Sequence, residues 1–78
     1  MSYGYSQNLV QANKKASIKS LGVALGRVCI ARGINVISVA DTFNVSRMTV
    51  YNWFKGDTIP LPAQAQAIQR YISTHTKK

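Results

Sequence analysis

The chain has 78 residues, with ten Lys and Arg against two Asp and no Glu, a formal net charge of +8. That length holds one domain, and a domain so small buries only roughly 60% of the surface its unfolded chain exposes. Cys29 and His75 are the only residues of their kinds, which excludes an intrachain disulfide and a zinc site built within one chain; of the usual supports for a small core, a partner subunit is left.

The excess of positive charge favours polyanions, either nucleic acid or an anionic membrane surface. No apolar run approaches the ~20 residues of a spanning helix. The opening Met1-Ser2-Tyr3-Gly4-Tyr5-Ser6 lacks the charged start and apolar core of a signal peptide, and a lone thiol fits a reducing cytoplasm. General acid–base and nucleophilic catalysis need two or more titratable groups placed together. Asp41, Asp57, Cys29 and His75 form no recognisable pair, and no glycine-rich phosphate loop occurs. The expectation is a binding protein with no cofactor, metal or small-molecule substrate, and not an enzyme.

Residues 1–16 read as a flexible polar arm with room for one helical turn, ending in Asn13-Lys14-Lys15. The domain proper is expected over 17–74, with a frayed tail at 75–78. Ile18, Leu21, Leu25, Val28 and Cys29 then fall at helical spacing, with Ser17 as the cap and Gly33 as the stop. Gly22 and Gly26 lie inside this helix. Each costs about 1 kcal/mol relative to alanine, so either the helix is weak or another backbone passes close to it. A second helix starts after Asn35, a good N-cap, and carries the apolar stripe Val36, Val39, Ala40 and Phe43. Three residues, Asn44-Val45-Ser46, break it from a third helix at 47–55, whose buried face is Val50, Trp53 and Phe54 and whose stop is Gly56. Pro62 suits the first turn of a fourth helix, with Leu61, Ala65, Ile68 and Ile72 on one side. The fold class is therefore all-α, a small bundle of four to five helices.

Two short helices joined by a three-residue turn are the sequence form of a helix-turn-helix. Ala40 is small where the helices cross, Asn44 tolerates the left-handed backbone of a sharp turn, Val45 plugs the corner, and Ser46 caps the next helix. The stretch NVISVADTFNVSRMTVYNWFKG, Asn35 to Gly56, resembles the helix-turn-helix of the phage-repressor family (Cro-like, xenobiotic-response-element, lambda-repressor-like). The matching positions are Ala40, Val45-Ser46, Val50, Trp53, Gly56 and Pro60, within a resemblance that spans roughly residues 17 to 72. Asn44 stands where the family often has glycine, and Val36 where many members have a phosphate-binding glutamine.

The resemblance implies that the third helix enters the DNA major groove with its N-terminal residues at base edges. Carried over by position, the base readers are Arg47, Met48, Tyr51 and Asn52, with Thr49 at the margin. Arg47 could donate two bonds to a guanine and Asn52 could pair bidentately with an adenine, while Met48 or Thr49 could touch a thymine methyl. Ser46 and Lys55 would meet phosphate, as would Lys14, Lys15 and Lys19 if the arm flanks the groove. Plainer roles stand beside these. Arg47 could be a solvated surface residue, although a cation in the first turn opposes the helix dipole by about 0.3–1 kcal/mol. Met48 and Tyr51 could cover the core, and the lysines could serve solubility.

The leading function is a sequence-specific regulator of transcription that binds double-stranded DNA, a repressor of phage or mobile-element type acting as a homodimer on a near-palindromic site. Its dimer surface is expected on the fourth helix at Leu61, Ile68, Tyr71 and Ile72, unless packing on the first helix consumes that stripe. Two other functions fit the same residues. One is an architectural or recombination-directionality protein on DNA; the other is an interaction module contacting polymerase, a terminase or another regulator.

Overall fold

Hydroxyl or amide side chains of the N-cap residue start three of the described helices, and left-handed residues end three. The computed structural model describes residues 5–76. It contains five helices: α1 (Gln7–Lys15), α2 (Leu21–Arg32), α3 (Val36–Phe43), α4 (Arg47–Lys55) and α5 (Pro62–Thr76). No strand occurs among the described residues, which fill a volume of 30 × 29 × 22 Å. None of the helices is long and apolar enough to cross a membrane.

The caps follow from side-chain chemistry. Ser6 Oγ accepts from the Leu9 amide, Asn35 Oδ1 from the Ser38 amide and Ser46 Oγ from the Thr49 amide, each satisfying a donor that the first helical turn leaves unpaired. Pro62 opens α5, and Gln64 Oε1 reaches back to the Leu61 amide at 2.9 Å. At the other ends Gly33, Asn44 and Gly56 take left-handed conformations. The next amide in each case, from Ile34, Val45 or Asp57, bonds a carbonyl five residues back. Asn44, at φ 55°, is the described non-glycine residue with positive φ, and it sits where the chain turns from α3 into α4.

Two central helices organise the packing. α2 lies against α1, α4 and α5, while α4 lies against α1, α2 and α3. The expected core residues Val36, Val39, Ala40, Val50, Trp53 and Phe54 are all buried, together with Leu25, Cys29 and Ile68. A chain of aromatic edges joins three helices: Phe43 meets Trp53 at 6.1 Å and Tyr71 at 5.3 Å between ring centroids. The two α2 glycines sit under α4. A Cβ on Gly22 would lie 2.8 Å from Trp53 Cβ, and one on Gly26 would lie 2.7 Å from Phe54 Cγ. Of the two explanations for glycine in this helix, close approach is therefore the one realised.

Three expectations need correction. Residues 7–15 form a helix built into the core and not a flexible arm; Tyr5, Leu9 and Asn13, four residues apart, are buried against α2 and α4. The domain accordingly begins before residue 17, while residues 1–4 of the expected arm lie outside the described residues. Ser17 does not start the next helix, because its Oγ caps the Lys19 amide in a tight link and Ser20 takes the N-cap position. Ile18 consequently falls in that link, 60% exposed. At the far end α5 continues through His75 and Thr76, held by stacking of His75 on Tyr71 at 4.0 Å and by Thr76 Oγ1 donating to the Ile72 carbonyl. Lys77 and Lys78 of the expected tail lie outside the described residues.

Candidate nucleic-acid interface

α4 has only nine residues, and its orientation is set by what holds its two ends. At its start, the Ser46 hydroxyl accepts from the Thr49 amide and shares a 2.9 Å hydrogen bond with Thr49 Oγ1. At its end, the Asn13 side chain donates from Nδ2 to the Phe54 carbonyl at 2.8 Å and to the Val23 carbonyl at 3.1 Å. Between these ties Val50, Trp53 and Phe54 bury the inner face. Helical geometry then turns Met48, Tyr51, Asn52 and Lys55, spaced three, four and seven residues apart, towards the opposite side.

The sequence-predicted residues of α4 and its cap differ in how free they are. Arg47 is exposed at the first position of the helix, and its side chain has no hydrogen bond or ion pair with any described residue. Met48 is 65% exposed, a high value for a long apolar side chain. Asn52 is half-buried; its backbone carbonyl accepts from the amides of Asp57 and Thr58, while its side-chain amide has no partner among the described residues. Tyr51 is half-buried against the core, so it covers the interior with its ring as well as facing outward. Ser46 and Thr49 are engaged in the cap described above. Lys55 is half-buried and its ammonium lies 3.3 Å from Asp57, an exposed pair of small energetic worth.

A trough of about 570 Å³ runs beside this face. Its walls are Met48, Tyr51 and Lys55 from α4 and Ser6, Asn8, Leu9 and Ala12 from α1. A second recess, about 540 Å³, brings Arg47 and Ser46 beside Asp41, Ile37 and Val45 at the α3–α4 corner. Of the three lysines assigned to phosphate outside α4, Lys14 and Lys15 are exposed in the last turn of α1, and Lys19 is exposed in the link that follows. They share the outer rim of α1 and its exit, and line neither recess.

The expected dimer surface does not hold together. Ile68 is 0% exposed because it packs inward, with α2 and α5 in contact, and Tyr71 and Ile72 are half-buried against the same core. Leu61 alone of the four is well exposed, at 66%. The apolar stripe of α5 is thus used inside the chain, as a small domain with few large side chains requires.

Asn13 and Arg27 are the residues that sequence reading missed. Arg27 donates from Nη2 to the carbonyls of Asn13 and Lys14 and from Nε to Asn13 Oδ1, closing the end of α1 that positions α4. A spacing of four between Tyr5, Leu9 and Asn13 was the available signal, obscured because its last member is polar. No protein-family model matches this chain, and comparison with curated proteins and with solved structures gives no match for it.

Proposed function

We propose that this protein binds double-stranded DNA through the outward face of α4, as a regulator of helix-turn-helix type. The observation that carries the reading is the state of that face. Arg47 and Asn52 present side chains without partners among the described residues, on a short helix whose ends are fixed by a serine cap and a buried amide. Donor groups held on rigid backbone suit the edges of bases, where guanine offers two acceptors and adenine an acceptor beside a donor. A chain with a net charge of +8 also gains affinity for any duplex through release of counterions.

Between α3 and α4, Asn44 is left-handed in the turn and Ser46 caps α4, local features that support the helix-turn-helix reading. One such helix reads few base pairs, so binding as a homodimer to two half-sites about one helical turn apart belongs to the proposal. Selection of bound sites from random duplex DNA, followed by footprinting, tests it. A recurrent two-fold site is the expected result. Recovery of no preferred sequence, with no affinity for any duplex at low salt, would overturn the reading.

A further inference from the structure

We infer that the trough between α1 and α4 seats the sugar–phosphate ridge of one DNA strand, which makes α1 a second DNA-contacting element. The inference rests on the DNA reading above and extends it to a helix that lies outside the family resemblance.

Geometry supports the placement. Packed helices stand about 8–10 Å apart, and the major groove is about 12 Å wide. A helix packed beside one that occupies the groove therefore stands over the strand that borders it. α1 packs on α4 in this way, and the open trough lies between their outer faces.

The lining matches a sugar–phosphate chain, which alternates apolar deoxyribose with anionic phosphate. Ala12 and Met48 offer apolar surface over the buried Leu9, Asn8 offers an amide donor and Lys55 an ammonium. No carboxylate lines the trough. The Lys55–Asp57 pair is exposed and exchangeable, so the ammonium can turn to a phosphate. Lys15, seven residues beyond Asn8, continues the same edge of α1 with a further positive charge.

Asn8→Glu tests the inference without loosening the helix. Glutamate is the better helix former, and an acid in the first turn complements the helix dipole. Gln7→Glu places the same charge in the same turn, on an exposed residue that does not line the trough. Affinity for a short mixed-sequence duplex at low salt is the readout, because phosphate contacts do not depend on sequence. Asn8→Glu should weaken binding about tenfold and Gln7→Glu by no more than about twofold, with thermal midpoints at or above the parent value.

Equal weakening by both variants would reduce the effect to overall charge and overturn the inference, while the DNA reading would stand. So would unchanged DNA affinity combined with altered self-association of Asn8→Glu in sedimentation, which would mean that a second copy of the chain fills the trough. Failure of the parent protein to bind any duplex would remove the DNA reading itself and this inference with it.

Discussion

The amide of Asn13 donates to the main-chain carbonyl of Phe54 across 2.8 Å, joining the first helix to the last turn of the fourth. That carbonyl is one of the four that a helix end leaves without an intrahelical partner. The same amide group reaches Val23, and its oxygen accepts from Arg27, so one side chain, 1% exposed, ties three helices.

Removing that group should therefore be expensive. Asn13→Ala leaves the Phe54 carbonyl buried and unpaired, a loss of about 1–3 kcal/mol. Urea unfolding should show a lower midpoint with an unchanged slope. A parental midpoint would show that α1 docks by its apolar contacts alone.

Glycine-to-alanine exchange in α2 separates two opposing effects. In an open helix interior alanine would gain about 1 kcal/mol. At Gly26 the new Cβ would lie 2.6 Å from Asn13 Nδ2 and 2.7 Å from Phe54 Cγ, and at Gly22 it would lie 2.9 Å from the Trp53 carbonyl oxygen. Overpacking of this kind costs about 1–3 kcal/mol and should win. Both variants are expected to melt below the parent, and a rise in either midpoint would contradict the close crossing of α2 and α4.

On DNA, Arg47 and Lys55 should fail differently. Arg47→Ala is expected to cost about 1–3 kcal/mol and to relax preference at one base pair. Lys55→Ala should weaken all sequences alike and make the salt dependence shallower by about one counterion. Titrations against a selected site and a scrambled one, at several salt concentrations, distinguish these patterns. A uniform loss with Arg47→Ala would contradict direct base reading there.

Alkaline pH should destabilise the fold. Burial pushes the Cys29 thiol from 9.0 up to about 12, against a smaller opposing hydrogen bond from Tyr71. Burial, with a lesser contribution from neighbouring ionisable groups, also raises the hydroxyls of Tyr5 and Tyr71 above their ordinary 10.0. Above the lower value the unfolded chain loses protons that the folded chain keeps, so the folded state binds more protons and stability falls as pH rises. The Cys29 contribution is complete below pH 9.0 and disappears between there and about 12. Urea midpoints should accordingly be level from about pH 7 to about pH 8.5 and decline above that range. A thiol reagent at mildly alkaline pH should label Cys29 in urea and spare it in the native protein.

The extent to which this molecule could be read from its residues depends on the range of the forces involved. Asn35, Ser46, Gly33, Gly56 and the three-residue turn at Asn44 act within a few residues of themselves, and they mark α3, α4 and the end of α2 at the expected places. The inner face of α4 was legible for the same reason, since Val50, Trp53 and Phe54 repeat at helical spacing. α1 was not. Its burial depends on a polar residue, Asn13, whose partners lie 10 and 41 residues away, and no local pattern announces that its amide will be satisfied. Arg47 stands three and seven residues before the buried Val50 and Phe54, and it is exposed because it lies in the first turn of α4, at the corner with α3. The trough beside Met48 and the burial of Ile68 arise when helices distant in sequence pack together. Short-range capping and periodicity thus determined most of the helices in the sequence alone. Tertiary packing decided which faces stayed open, because the same apolar stripe can be covered from within the chain or by a partner, and only long-range contacts choose between them.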